Sequence, residues 1–190
     1  MADRHQEADA LVLVDVIADF GHEDGSALFA AFEQVLPALR DAVAEARTRG
    51  VPVVYANDDF GTWSGDRDAV LAEARRRAPK PEVIDDIAPA PDDAFLTKPR
   101  YSAFDHTPLE LLLRERGTRR VLLAGTATEM CVAQTAIDAR EAGYQATVLV
   151  PACASVDDRN AALALQYLER VVGARLHRRA GSLPAISEGS

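Results

Sequence analysis

The chain has 190 residues, with Lys+Arg 21 against Asp+Glu 30 and a net charge of −9. That length supports one domain with a substantial core, and the acidic balance argues against nucleic acid or an anionic membrane as partner. No apolar run approaches the roughly 18 residues of a membrane-spanning helix, and the polar start Met1-Ala2-Asp3-Arg4-His5-Gln6-Glu7 does not read as a secretory signal.

In chain order, apolar and β-branched runs alternate with helical patterns. The expected strands are 10–14, 51–56, 94–97, 120–124, 145–150 and 174–176. The central ones are almost continuously apolar, which suits parallel strands covered on both faces. The expected helices are 28–49, 66–77, 108–116, 131–142 and 157–172. Gly50, Gly117, Gly143 and Gly173 follow four of them and read as left-handed helix ends. Thr107-Pro108-Leu109-Glu110 reads as a capping box with proline at the first helical position. The alternation implies a doubly wound α/β domain. Residues 57–93, rich in Gly, Pro and Asp, are the natural place for substrate-facing loops. The tail from Ala180 reads as frayed.

Two cysteines, Cys131 and Cys153, make no disulfide framework. Free thiols in a reducing cytoplasm are expected, and Cys153 reads as a packed small hydrophobe. His5, His22, His106 and His177 are scattered without metal-ligand spacing. Arg75-Arg76-Arg77 reads as a solvated helix end.

Open α/β sheets bind ligands beyond the carboxyl ends of their strands. Three chemically useful residues fall there. Asp15 follows Ala10-Leu11-Val12-Leu13-Val14. Lys98 follows Ala94-Phe95-Leu96-Thr97. Cys131 sits in Gly125-Thr126-Ala127-Thr128-Glu129-Met130-Cys131-Val132, between a strand and a helix. A helix N-terminus and a nearby ammonium both favour a thiolate, so Lys98 is expected to lower the Cys131 pKa. Asp15 is placed to accept the thiol proton and return it to a leaving amine. Phe20, Phe60, Trp63, Tyr101 and Phe104 flank these segments and suggest an aromatic-lined pocket or, equally, core and interface packing. Arg100 is a candidate clamp for a substrate carboxylate. Glu129, two residues before the cysteine, is a candidate pocket residue that disfavours anions.

Taken together, these motifs resemble the isochorismatase-like cysteine hydrolase superfamily, which includes nicotinamidases, N-carbamoylsarcosine amidases and ureidoacrylate amidohydrolases. The matching pieces are Asp15 through Phe20, Lys98 through Phe104 with Thr107 and Leu109, and Gly125 through Val132 with Thr135-Ala136 and Asp138-Ala139. Gly143-Tyr144 and Pro151 through Ser155 extend the match over residues 10–156. The resemblance implies a six-stranded parallel sheet with helices on both faces. It implies a triad of Asp15, Lys98 and Cys131, an oxyanion hole from the Ala127 and Cys131 amides, and a cis peptide at Thr126–Ala127. It also implies a homo-oligomer, a dimer or tetramer.

The departures narrow the expectation. Ile17 and Ala18 replace the polar residues many relatives carry after the first aspartate. Residues 57–66 hold no histidine, and Asp58 and Asp59 alone are a weak signal for a hard cation, so no metal and no cofactor are expected. The cysteine favours C–N cleavage of a small carboxamide or ureido compound. Vinyl ether hydrolysis of the isochorismatase type, or a silent metabolite-binding relative, are the alternatives.

Overall fold

The computed structural model describes residues 8–61 and 65–185. Six strands, β1 (Ala8–Val14), β2 (Val53–Asn57), β3 (Ala94–Thr97), β4 (Thr118–Thr126), β5 (Gln145–Ala154) and β6 (Arg175–His177), form one sheet in the order β3-β2-β1-β4-β5-β6. Every neighbouring pair is parallel. The helices are α1 (Gly25–Thr48), α2 (Arg67–Arg77), α3 (Pro81–Asp86), α4 (Leu109–Glu115), α5 (Ala133–Glu141) and α6 (Asp158–Tyr167), with π-helical turns at Thr128–Val132 and Leu168–Val172.

Side-chain alternation along the strands divides the core. Leu11, Leu13, Tyr55 and Leu122 face α1, which answers with Phe29, Phe32, Leu36, Leu39 and Val43 at helical spacing. Val12, Val14, Val54 and Leu123 face the other way, toward Leu109, Leu113, Ala136 and Leu165. Both faces of the central strands are thus covered, as continuous apolar runs require.

The chain winds outward from β1 through β2 to β3, then returns to lay β4 on the other side of β1. The crevice between the carboxyl ends of β1 and β4 is therefore the topological switch point, where such sheets bind ligands. Gly125 makes that crevice possible. It pairs with Val14 across the β1–β4 ladder at φ +127, and a Cβ there would lie 2.0 Å from the Val14 carbonyl oxygen.

Several boundaries differ from the sequence reading. Helix α3 interrupts the stretch expected to be irregular. The helix expected over 131–142 begins instead as the π-helical turn, so Cys131 lies inside that turn. Thr107 Oγ1 does accept from the Leu109 N–H at 3.1 Å, but Pro108 occupies the cap position and Glu110 pairs with Arg114, so only half of the capping box forms. The four helix-ending glycines all have positive φ.

The tail is also better anchored than expected up to Ala185. Leu183 donates to Glu45, the Pro184 carbonyl accepts from Arg49, and the Ala185 carbonyl accepts from Arg120. Arg120 in turn grips Asp9 with two bonds of 2.7 Å, and both side chains are almost fully buried. The charged network is thus satisfied on both sides at the amino edge of the sheet, opposite the site.

Candidate active site

Asp15 ends β1 with a turn at φ +50, which redirects its carboxylate over the sheet edge. Its carbonyl accepts from the Thr126 hydroxyl at 3.0 Å, and its Oδ1 accepts from the Asp58 N–H at 2.9 Å. Asn57, fully buried at the end of β2, donates to the Ile17 carbonyl at 3.0 Å and holds the loop after β1. Lys98 extends the β2–β3 ladder through its N–H to Asn57 O at 2.8 Å. Four strand ends are thus tied together by backbone and side-chain bonds before any chemistry is considered.

The Lys98 ammonium is buried and sits at the centre. It lies 2.7 Å from Asp15 Oδ2, 3.0 Å from the Arg100 carbonyl and 3.6 Å from Cys131 Sγ. The turn carrying the cysteine is fixed from both sides. Thr128 donates to the Ala154 carbonyl at 3.0 Å, and Thr135 donates to the Cys131 carbonyl at 2.7 Å while accepting from the Ala103 N–H at 3.0 Å. The Thr126–Ala127 peptide is cis.

The trio is an Asp15–Lys98 ion pair in direct contact, with the Cys131 thiol beside the ammonium. Burial raises Asp15 above the ordinary aspartate value, and the neighbouring Lys98 offsets part of that rise. Burial also works against the Lys98 charge, but Asp15 and Cys131 together outweigh it and hold the lysine above its usual value. Lys98 lowers the Cys131 thiol as expected but does not set the net direction. Burial and the Asp15 carboxylate push Cys131 up to about 12, and Lys98 only partly opposes them. One ammonium cannot stabilise two anions in a desolvated site, and the carboxylate holds the closer contact. Cys131 is therefore held as the thiol near neutral pH.

Cys131, Asp15 and Asp58 line both a cleft of about 1010 Å³ and a smaller pocket of about 570 Å³. Of the other residues singled out in the sequence, Phe20 and Glu129 line the cleft, as does Ala127. Arg100 and Tyr101 line the smaller pocket, both exposed. Phe104 is placed apart from both: its ring packs on Tyr144 at 5.9 Å against the core. Trp63 lies outside the described residues. Cys153 is buried, with its thiol also pushed up to about 12.

The cleft contains residues the sequence reading missed. His22, one of the four scattered histidines, lines the cleft, as do Asp19, Arg77, Val156, Asp157 and Asn160. Asp157 lies just past β5, which runs to Ala154 and so beyond the expected strand end at 150, and Asn160 follows it in the first turn of α6, so the strand-end rule stopped short of both. Asp15, Phe20 and Phe60, all cleft residues, are non-glycines at positive φ, a conformation that clusters at working sites. Among the described residues, no group of three or more His, Cys, Asp or Glu side chains is placed to hold a metal ion.

A doubly wound sheet with an acid, a base and a thiol at its switch point defines an α/β enzyme fold with the parts of a hydrolase. The isochorismatase domain family model matches residues 9–177, and the chain belongs to the isochorismatase family. It is 34% identical over 167 residues to the isochorismatase family protein YaaI of Bacillus subtilis, covering 88% of this chain and 92% of that one. It is 29% identical to the ureidoacrylate amidohydrolase RutB of Enterobacter sp. over 74% of this chain and 72% of the relative. Among solved structures it resembles N-carbamoylsarcosine amidase from Thermoplasma acidophilum, with TM-score 0.69, 30% identity, and 90% and 96% of the two chains covered. The pyrazinamidase/nicotinamidase of Streptococcus mutans gives TM-score 0.70 at 27% identity, with 90% and 100% covered.

Proposed function

We propose that the protein is a cysteine amidohydrolase that cleaves a C–N bond of a small carboxamide or ureido compound through a thioester. The observation that carries this reading is the Lys98 ammonium seated between Asp15 at 2.7 Å and Cys131 at 3.6 Å where the two pockets meet. Relatives named for amide and ureido hydrolysis support it.

In the first half-reaction Cys131 Sγ attacks the carbonyl carbon while its proton passes to Asp15. The oxyanion is received by the Ala127 and Cys131 N–H groups. The C–N bond then breaks, the amine leaves with the proton from Asp15, and an acyl thioester remains on Cys131. In the second half, Asp15 takes a proton from water as its oxygen attacks the thioester. The acid departs, and the proton returns to Cys131 sulfur. Lys98 stays protonated throughout; it keeps Asp15 oriented, and ionised before each proton it accepts.

Ammonia release from a panel of small carboxamides and ureido compounds tests the reading. Release by the intact protein, abolished in Cys131→Ala with folding retained, is the expected result. Turnover retained by Cys131→Ala, or vinyl ether cleavage without ammonia release, would reject it.

A further inference from the structure

The lysine and the cysteine arrive at the site on separate pieces of chain. Lys98 follows β3 and opens a loop in which Pro99, Arg100 and Tyr101 are exposed. The loop is gripped near both ends. The Lys98 N–H bonds to the Asn57 carbonyl, and the Ala103 N–H donates to Thr135 Oγ1 at 3.0 Å. Between these anchors the Arg100 carbonyl accepts from the Lys98 ammonium at 3.0 Å, so the lysine head is held by its own loop. Cys131 stands four residues before Thr135, and its carbonyl accepts from the same Thr135 hydroxyl at 2.7 Å.

One hydroxyl therefore bonds both pieces at once. It donates its hydrogen to the cysteine turn and accepts from the lysine loop, the two capacities a hydroxyl combines. Threonine in a helix often turns back on the carbonyl four residues earlier; the bond from Ala103 is what makes this one a link. Thr135 and Ala103 are both fully buried, so losing the hydroxyl leaves the Ala103 N–H without an acceptor away from water. The neighbouring threonines lead elsewhere, Thr126 to the Asp15 carbonyl and Thr128 to the Ala154 carbonyl at the end of β5.

We propose that Thr135 is a positioning residue whose hydroxyl couples the cysteine turn to the lysine loop and sets the 3.6 Å spacing of Cys131 Sγ from the Lys98 ammonium. Thr135 lines neither pocket and acts through both partners. For turnover this rests on the amidohydrolase reading above; for the thiol it does not. The ammonium favours the thiolate, and a drift of about 1 Å in the spacing lowers the thiolate fraction about fivefold at an effective dielectric of about 20. A more basic thiolate is a better nucleophile, which returns part of the loss and leaves alkylation about two- to threefold slower. The same drift misaligns the sulfur for attack, which costs about 10- to 100-fold.

Thr135→Val keeps the shape and removes the hydroxyl, whereas Thr135→Ser keeps the hydroxyl and removes a methyl. Both are compared with the parent protein and with Arg120→Ala, which weakens the fold at the opposite edge. Iodoacetamide kinetics on Cys131 at pH 8, kcat and KM for an amide the parent hydrolyses, and urea unfolding are measured on all four. In Thr135→Val, alkylation is expected to slow about two- to threefold and kcat to fall about tenfold or more, with KM within about twofold. Thr135→Ser restores both, and Arg120→Ala changes neither. Where Thr135→Val does not fold, Thr135→Ala is read in the same way. Alkylation and kcat unmoved by loss of the hydroxyl overturn the proposal, as does a loss that Arg120→Ala shares, since such a loss follows stability alone. Slowed alkylation in Thr135→Val of a protein that releases no ammonia from any amide supports the positioning role and rejects the hydrolytic reading. Ammonia release by the parent, with both readouts unmoved in Thr135→Val, does the reverse.

Discussion

Replacing Asp15 with asparagine should make Cys131 easier to alkylate while making the enzyme inactive. The thiol stands at about 12 because burial and the Asp15 carboxylate both oppose the thiolate. Asparagine keeps the shape and removes the charge. Lys98, 3.6 Å from the sulfur, then has no other anion to serve. A unit charge at about 4 Å in a site of effective dielectric about 20 is worth about 4 kcal/mol, or about 3 pKa units. The thiol should therefore fall toward about 9, and its thiolate fraction at pH 8 should rise about a thousandfold. A less basic thiolate is also a weaker nucleophile, with a Brønsted slope of about 0.4–0.5, so the net gain in alkylation rate is about 30- to 50-fold. Iodoacetamide kinetics from pH 6 to 10, with intact mass to locate the adduct, measures this. An alkylation rate in Asp15→Asn that is unchanged or lower across that range would show that the carboxylate does not govern the thiol, and the proton-transfer role would fail with it.

Lys98→Ala removes the ammonium that favours the thiolate, so alkylation slows further and amide turnover falls by about 100-fold or more. The pH profile of kcat/KM follows from the same trio. Asp15 must be ionised to accept the thiol proton, and burial raises it, so activity is lost as pH falls through a midpoint above the ordinary aspartate value of 3.8. Lys98 must stay protonated and is itself raised, so the alkaline limb lies above 10.5. An acid midpoint at or below 3.8 contradicts this. At the opposite edge of the sheet, Arg120→Ala leaves the buried Asp9 carboxylate with the longer 4.0 Å contact to Arg49 and should cost about 3 kcal/mol in urea unfolding, with activity per folded molecule retained. The double change Asp9→Leu with Arg120→Met should recover most of that loss, because it removes both charges.

Legibility in the sequence followed the physics of each signal. Strands β1, β4 and β5 were readable because burial on both faces demands unbroken apolar runs. The positions of Asp15 and Lys98 at the sheet edge were readable because each directly follows an expected strand, and that of Cys131 because it lies in the turn after β4, where the switch-point rule looks for ligands. The direction of the Cys131 shift was not readable. It depends first on how deeply the fold buries the thiol, and then on how the Asp15 carboxylate and the Lys98 ammonium oppose each other beside it, none of which a linear pattern displays. Helix α3 escaped notice because six residues carry too little periodicity. The anchoring of Leu183 to Ala185 escaped because it runs through backbone groups, to which any side-chain pattern is blind. Phe104 fell in a motif beside Lys98, yet its ring turns to Tyr144, since neighbouring residues on a loop share no common face.

The central claim is that Cys131 carries the acyl group. It is tested most directly by quenching the enzyme in acid during turnover of an amide from which it releases ammonia, then weighing the intact protein and mapping the adduct. The account predicts a mass increase equal to the acyl portion of the substrate, located on Cys131, released by neutral hydroxylamine and missing from Cys131→Ala. Turnover with no adduct, together with activity in Cys131→Ala, would contradict it.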